Sequence, residues 1–90
     1  MADVIQGPVT SVVDGDTFDM KVTHKGSGNM HEYNDHERIR IANIDAPELS
    51  TPGGQRSKEA LARKLAGRIV RCLVQSRDVF GRVVANVSLI

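Results

Sequence analysis

Aromatic residues are nearly absent from this sequence. Phe18, Tyr33 and Phe80 are the only three, which is 3% of the chain. The hydrophobic fraction is nevertheless 40%, as is typical of a folded rather than a disordered chain. We therefore expect a core built mainly from Val, Ile, Leu and Ala. With 90 residues, the chain is long enough for a single small domain over residues 1–90.

Cysteine and long apolar stretches are also scarce. Cys72 is the only cysteine, so the chain forms no internal disulfide. Its apolar neighbours indicate a buried strand residue rather than a nucleophile. No stretch of about 18 apolar residues is present, so no membrane-spanning segment is predicted. The first residues lack the basic and apolar regions of a signal peptide, which leaves open an exported protein whose signal peptide has been removed.

Charge is unevenly distributed along the chain, although the formal net charge is only +1. Residues 1–50 carry four basic and nine acidic side chains, whereas residues 51–90 carry eight basic and two acidic ones. Such asymmetry is expected where acidic groups gather around a cation and basic groups face an anion. It is also expected if the two halves interleave in space and scatter their charges.

The spacing of apolar residues and of the turn residues between them predicts five strands and one helix. The strands are predicted over residues 8–13, 17–22, 38–44, 69–75 and 83–89, and the helix over 56–66. The order βββ-α-ββ is that of the OB fold, a partly open Greek-key barrel of five strands. The predicted fold class is therefore mainly β with one helix (α+β). The polar segment 23–37 is predicted to be a long hairpin loop.

Two carboxylates flank a tight turn at Asp14-Gly15-Asp16. Carboxylate oxygens are the ligands that Ca²⁺ and Mg²⁺ prefer, so this turn is a candidate cation site. An EF-hand loop starting at Asp14 is excluded, because its sixth position is Asp19 rather than Gly and its twelfth is Lys25 rather than Glu. The alternative is an ordinary hairpin turn with one capping Asp.

A second candidate segment combines Arg40 on a predicted strand with Asp45-Ala46-Pro47-Glu48 just after it. Pro47 fixes its own φ and pushes Ala46 towards an extended conformation. That rigidity would hold Asp45, the Ala46 carbonyl and Glu48 in a set arrangement, as a metal site with a general base requires. The alternative is a strand followed by a solvated acidic loop.

A third segment, Asp78-Val79-Phe80-Gly81-Arg82, predicts a tight turn that places Arg82 at the start of the last strand. The planar guanidinium group of Arg suits phosphate oxygens. The alternative is a turn whose Arg is merely solvated.

Taken together, the three segments resemble the staphylococcal-nuclease (thermonuclease) family. Their order, their spacing and the intervening helix fit, and the resemblance runs from about Val9 to the end of the chain. The resemblance implies an OB-fold barrel and a calcium-dependent endonuclease, a hydrolase that cleaves phosphodiester bonds of DNA and RNA and leaves 3′-phosphate ends. Typical members continue into further helices that pack beneath the barrel, and we expect residues 1–90 to lack them.

The resemblance also implies a metal site. Asp16 and Asp45 would bind one Ca²⁺ through their carboxylates, and Ala46 would bind it through its backbone carbonyl. Asp14 would lie just outside this shell as a supporting acid.

The catalytic roles follow from the same resemblance. Glu48 would position or deprotonate the attacking water, and Arg40 and Arg82 would hold the scissile phosphate. These parts suit the chemistry, because a divalent cation and two guanidinium groups stabilise the charge that develops on the phosphate oxygens.

The loop 23–37 is longer and more polar than in compact members of the family. It holds His24 and His31, with His36 near its end. A second metal site in this loop is one hypothesis, and solvated histidines are the other.

A non-catalytic OB-fold module, binding nucleic acid or acting as a scaffold, is the alternative function. Binding of single strands usually relies on several aromatic stacking surfaces, and we expect Phe18 to lie in the core. The acidic trio Asp16, Asp45 and Glu48 would repel a nucleic acid unless a cation neutralised it, which favours the enzyme. No obligate protein partner is evident. We expect export from the cell, because calcium is scarce in the cytosol and a general nuclease is dangerous to its host.

Overall fold

Six strands and one helix follow one another in the computed structural model, which describes residues 2–90. They are β1 (Asp3–Asp14), β2 (Thr17–Lys21), β3 (His24–Lys25), β4 (His36–Ile41), α1 (Pro52–Leu65), β5 (Ile69–Arg77) and β6 (Val83–Leu89). The helix in this part of the chain does not combine the length and apolar content needed to cross a membrane.

Strand pairing closes five of these strands into a barrel. They follow the order β2–β4–β6–β5–β1, and β1 pairs in turn with β2. Neighbouring strands are antiparallel except β4 and β6, which run parallel. A closed five-stranded barrel of this kind is an OB fold, so the predicted fold class is confirmed. Closure leaves few strand edges exposed, which limits edge-to-edge aggregation.

Strand β1 pairs with two other barrel strands along its length and is longer than predicted. Its first half, Asp3 to Pro8, pairs with β5, and its second half, from Val9, pairs with β2. Gly7 lies at this change of partner, where a β-carbon would collide with the carbonyl oxygen of Lys21. The predicted start at residue 8 is wrong because the Gly-Pro pair, which suggests the beginning of a strand, lies within one.

Helix α1 begins four residues before its predicted start at Arg56. Thr51 caps it, because the Thr51 hydroxyl accepts a 3.0 Å hydrogen bond from the Gly54 N–H. Pro52 follows the cap, where its missing N–H is not needed. Gly53 and Gly54 are poor helix formers, so propensity alone places the start after them.

Other boundaries differ by a few residues. β4 ends at Ile41 instead of residue 44, and Asn43, with a positive φ of 65°, belongs to the turn that follows. β5 continues two residues further than predicted, to Arg77. The loop predicted over residues 23–37 contains the short strand β3, which pairs with residues 5 and 6 of β1.

The barrel interior is mainly aliphatic, as predicted. Its fully buried side chains include Ile5, Phe18, Met20, Ile39, Val70, Cys72, Val83 and Ala85. The sulfur of Cys72 lies 3.8 Å from that of Met20, and burial raises the pKa of the Cys72 thiol to about 12. Cys72 is therefore a buried strand residue, because a neutral thiol in this position is not nucleophilic.

Asp3 ties the loop before β4 to the barrel. Its buried carboxylate accepts hydrogen bonds from the Met30 N–H (2.8 Å), the His31 N–H (3.0 Å) and the Tyr33 hydroxyl (2.8 Å). These hydrogen bonds, that of Met30 foremost, lower the pKa of Asp3. Arg77 of β5 lies over the Tyr33 ring, with its guanidinium carbon 5.9 Å from the ring centroid. Much of the loop is therefore anchored by polar contacts.

Candidate active site

The three segments predicted to carry the chemistry meet around Thr17, the first residue of β2. Thr17 pairs across the sheet with Arg40 of β4. Its hydroxyl lies 3.5 Å from Nη1 of Arg82, which precedes β6. The neighbouring Asp16 accepts a 3.1 Å hydrogen bond from the N–H of Ala46. Strands β2, β4 and β6 are adjacent, so residues distant in sequence converge at one place on the barrel.

Asp16 is held in a defined orientation. Its Oδ1 accepts a 2.8 Å hydrogen bond from the Thr17 hydroxyl, and its Oδ2 accepts the one from Ala46. Its own N–H donates to Oδ1 of Asp14 at 3.0 Å, so Asp14 lies beside it in the turn. Nη2 of Arg40 lies 3.5 Å from Oδ2 of Asp16.

The surroundings of Asp16 favour its charged form. Burial on its own raises the pKa of the Asp16 carboxyl. Hydrogen bonding with Asp14, Ala46 and Thr17 outweighs burial, and the positive charge of Arg40 acts in the same direction, so the net pKa is lowered. A carboxylate that stays ionised is what a cation ligand requires.

Arg40 links the two carboxylates predicted to be metal ligands. Its Nη2 donates a 2.8 Å hydrogen bond to Oδ1 of Asp45 and lies 3.5 Å from Asp16. Its Nη1 donates to the backbone carbonyl of Ile41, which fixes the guanidinium plane. The Asp45 side chain is 100% exposed, whereas that of Asp16 is 13% exposed. The Asp16 carboxylate is thus rigid, and the Asp45 carboxylate is accessible from solvent.

Asp16 and Asp45 supply the type of ligand that a hard divalent cation takes, although Arg40 lies between their carboxylates in this structure. Asp16 and Asp45 present oxygen atoms around one positive centre, the Nη2 of Arg40, and such cations prefer oxygen ligands. Ala46 contributes its N–H to Asp16 in this structure. Within residues 2–90, however, no three His, Cys, Asp or Glu side chains converge closely enough to form a metal-binding group.

Glu48 is placed by its backbone and not by its side chain. Its carbonyl accepts hydrogen bonds from the N–H (3.0 Å) and the hydroxyl (2.7 Å) of Thr51, the cap of α1. The side chain is exposed and makes no hydrogen bond or ion pair in the described part of the chain. The structure therefore brings Asp16, Asp45 and Arg40 together but leaves the Glu48 carboxylate outside that cluster.

The first two turns of α1 pack against both acidic segments, a feature that the sequence motifs do not reveal. A β-carbon on Gly15 would lie 2.5 Å from Cβ of Ser57 in α1 and 2.8 Å from Cβ of Ala46. A β-carbon on Gly54 would collide with the carbonyl oxygen of Glu48. Glycine at both places allows the helix to position the two segments relative to each other.

Arg82 is oriented by its own turn. Its Nε donates a 2.7 Å hydrogen bond to Oδ2 of Asp78, and its backbone N–H donates to Oδ1 of Asp78 at 2.9 Å. The guanidinium carbon lies 5.3 Å from the centroid of the Phe80 ring. Phe80 is 80% exposed and its neighbour Val79 is 94% exposed, so an apolar tip projects into solvent beside the candidate site. No role for Phe80 is predicted from the sequence.

The three histidines of the loop form no cluster of the kind that the second metal site needs. His24, His31 and His36 belong to no metal-binding group among residues 2–90. His31 lies instead with its Nδ1 3.7 Å from the Asp3 carboxylate. The geometry does not support a second metal site there.

Comparison of the sequence with known families agrees with the geometry. The sequence profile described as "Staphylococcal nuclease homologue" matches residues 38–90. This range includes Arg40, Asp45, Glu48 and Arg82, although not the Asp14–Asp16 turn. The chain belongs to the family of staphylococcal nuclease homologues.

Individual relatives extend the similarity to the first half of the chain. "Probable endonuclease LCL3" of Arthroderma otae is 36% identical over 103 residues, covering 92% of this chain and 36% of that protein. "Uncharacterized endonuclease" of Escherichia coli is 34% identical over 83 residues, covering 92% and 48%. "Probable staphylococcal-like nuclease CAN3" of Oryza sativa subsp. japonica is 44% identical over 50 residues, covering 56% and 13%. The chain thus spans less than half the length of these relatives.

Proposed function

We propose that the protein is a calcium-dependent nuclease that hydrolyses phosphodiester bonds of DNA and RNA and leaves 3′-phosphate ends. The observation that carries this proposal is the position of Arg40, whose Nη2 lies between the carboxylates of Asp16 and Asp45. The carboxylates proposed to bind a cation therefore lie next to a guanidinium group proposed to bind a phosphate. Membership of the nuclease family supports the proposal.

The proposed calcium ligands are the carboxylates of Asp16 and Asp45 and the backbone carbonyl of Ala46. Bound there, Ca²⁺ would polarise a phosphate oxygen as a Lewis acid. Asp16 is suited to this role because its hydrogen bonds keep it ionised and oriented. Asp45 is suited because its exposed side chain reorients without moving the barrel.

Two arginines are proposed to hold the scissile phosphate. A guanidinium group donates two parallel hydrogen bonds to phosphate oxygens and so fixes the phosphate as well as stabilising its charge. Arg40 pairs with Thr17 across the sheet and Arg82 contacts the Thr17 hydroxyl, which places the two arginines around one residue. When the phosphate binds, Arg40 would give up part of its contact with Asp45 and donate hydrogen bonds to the phosphate instead.

Glu48 is proposed to accept the proton of the attacking water. Its carboxylate has no protein partner in the described chain and is reached from solvent. Its backbone is fixed to the cap of α1, which limits how far the side chain travels from the cluster around Arg40. A general base needs such restricted geometry more than it needs burial.

The proposal is tested by incubating the protein with end-labelled single-stranded DNA, first with Ca²⁺ and then with a chelator. We expect cutting with Ca²⁺ alone. The product ends are then tested for extension by a polymerase before and after phosphatase treatment. Extension only after phosphatase is expected for 3′-phosphate ends, and extension without it contradicts the proposed bond specificity.

A non-catalytic module is the second candidate, because the Glu48 carboxylate lies outside the cluster of Asp16, Asp45 and Arg40. This alternative predicts binding of DNA without cutting, whatever cation is supplied. Binding with no cutting by a well-folded protein would support it against the enzyme.

A further inference from the structure

Unpaired positive charge is concentrated on helix α1 and the segment after it. Residues 51–71 carry six basic side chains and one acidic one, Glu59. The six are Arg56, Lys58, Arg63, Lys64, Arg68 and Arg71. None of their side chains makes an ion pair or a hydrogen bond within residues 2–90, whereas Arg38, Arg40, Arg77 and Arg82 are all paired.

The helix leads away from the candidate active site. Its second turn touches the turn at Gly15 through Ser57, as the close approach of their β-carbon positions shows. Its other end lies against the middle of β1, because the N–H of Val9 donates a 3.0 Å hydrogen bond to the carbonyl of Arg68. A helix of 14 residues is about 21 Å long, which matches roughly six phosphates of a nucleic-acid strand.

Two basic side chains of this helix, Arg56 and Arg63, lie on its outer side. Gly54 and Leu65 are buried, so they mark the face that packs on the barrel. Arg56 and Arg63 are two turns apart and lie roughly opposite that face, where both are exposed. Lys64 and Arg68 are exposed near the end of the helix. We call Arg56, Arg63, Lys64 and Arg68 the basic row.

We propose that the basic row binds the phosphate backbone of the nucleic acid outside the cleaved bond. Charge complementarity carries this inference, because exposed cations that form no ion pair with the protein attract a polyanion. The inference rests on the proposed nuclease function and adds a second contact surface to it. Long substrates are then held more tightly than short ones, and the difference depends on salt.

The test compares binding of two fluorescent single-stranded DNAs, of about three and about twenty nucleotides, measured by anisotropy without calcium so that no cutting occurs. In the double variant Arg56→Gln/Arg63→Gln, we expect roughly three- to tenfold weaker binding of the longer strand near physiological salt. The slope of log affinity against log salt should become shallower by about 1.4 for two lost phosphate contacts. Binding of the short strand should not change.

Two control variants each remove one charged side chain whose position in the structure is known. Glu59→Gln removes the one acidic side chain on the same helix and should strengthen binding of the longer strand. Lys21→Gln removes an exposed cation at the end of β2, outside the basic row, and should have a smaller effect than either arginine. Circular dichroism verifies that each variant is folded.

The possible results of these experiments distinguish a failure of this inference from a failure of the proposed nuclease function. Equal affinity of the double variant and the wild type for the longer strand would overturn the inference, even if the protein cuts DNA. Vesicles containing phosphatidylserine are tested in parallel, and binding to them with no affinity for DNA would also overturn it. Hydrolysis of a small chromogenic phosphodiester should be equal in the wild type and the double variant, and its absence in both would count against the proposed function alone.

Discussion

Arg40 donates a hydrogen bond of 2.8 Å from Nη2 to Oδ1 of Asp45, and this contact joins the residue proposed to bind the phosphate to one proposed to bind the cation. Because the Asp45 side chain is fully exposed, solvent screens the ion pair and it contributes little to stability. The two residues can therefore exchange this ion pair for other partners at little cost in stability. In the proposed complex, a cation at Asp45 and a phosphate at Arg40 would replace the attraction that each residue loses.

Calcium should stabilise the folded protein, because it binds the folded carboxylates and not the unfolded chain. A concentration 100 times the dissociation constant raises the free energy of unfolding by about 2.7 kcal/mol. We expect a calcium-dependent rise in the melting temperature of the wild type and a much smaller one in Asp16→Asn and Asp45→Asn. Asp35→Asn, an exposed loop substitution, is the matched control and should respond as the wild type does. An equal rise in all four proteins would mean that calcium binds elsewhere.

Replacing Arg82 should slow the reaction more than it weakens substrate binding. Loss of one donor to the charge developing in the transition state typically lowers kcat roughly 100- to 1,000-fold. Arg82→Lys keeps the charge but loses the planar pair of donors, so we expect kcat to fall while KM changes little. Arg38→Lys is the control, because Arg38 makes a comparable ion pair with Asp19 on the same sheet. If both variants keep the wild-type kcat, Arg82 does not contact the reacting phosphate.

Two neighbouring glycines of α1 should respond in opposite ways to the same substitution. A β-carbon on Gly54 would collide with the carbonyl of Glu48 and lie 2.8 Å from Cα of Leu49. A β-carbon on Gly53 would meet only the Pro47 side chain, at 3.5 Å, and the Thr51 hydroxyl, at 4.0 Å.

Urea unfolding of the two variants tests this difference. Gly53→Ala should be neutral or stabilising by up to about 1 kcal/mol, because Ala forms helices better than Gly. Gly54→Ala should be destabilising by about 1–3 kcal/mol, because the backbone at Glu48 has to move. A Gly54→Ala protein as stable as Gly53→Ala would show that α1 does not fix the position of Glu48.

The ion pair between Glu37 and Arg77 should make stability depend on pH. The Glu37 side chain is 3% exposed and accepts two 3.0 Å hydrogen bonds from Arg77. Burial alone would raise the pKa of Glu37. The hydrogen bonds from Arg77 and from the N–H of Asn34 lower the pKa by more than burial raises it, so the folded pKa lies below the ordinary value. A lowered pKa means that the stabilisation is complete above about pH 4.3 and is lost as the pH falls through the folded value.

Glu37→Gln should therefore lower the free energy of unfolding at neutral pH by about 1.5–3 kcal/mol and flatten its acid dependence. Urea unfolding between neutral and acidic pH measures both effects. Glu32→Gln, an exposed loop substitution, should leave the pH profile unchanged. A Glu37→Gln profile that falls as steeply in acid as the wild-type profile would assign the acid sensitivity to other carboxylates.

Part of the fold and site is predictable because it depends on local signals. Alternating apolar residues locate β2 and β6, and Asp14-Gly15 marks the turn between β1 and β2. Since β2, β4 and β6 are adjacent in an OB fold, residues at their ends converge. The approach of Asp16, Arg40 and Arg82 to one another is therefore implied by motif order and topology.

What the sequence does not reveal depends on contacts between distant residues. The start of β1 and the anchoring of the loop both involve Asp3, whose partners lie 27 to 30 residues away. The beginning of α1 combines the Thr51 cap with two glycines of poor helix propensity, and glycine is needed at residue 54 because Gly54 packs closely on the Glu48 carbonyl. No local pattern distinguishes a buried Asp3 or a tightly packed Gly54 from a solvated residue.

The central claim, that Glu48 serves a calcium-dependent phosphodiesterase, is tested most directly by single-turnover cleavage of single-stranded DNA. Wild type and Glu48→Gln are compared with Ca²⁺ and with a chelator, at enzyme concentrations that saturate the DNA. We predict that the wild type cuts only with Ca²⁺ and that Glu48→Gln binds the DNA equally well but cuts it roughly 100- to 10,000-fold more slowly. Cutting by the variant at the wild-type rate, or equal cutting in chelator, would contradict the account.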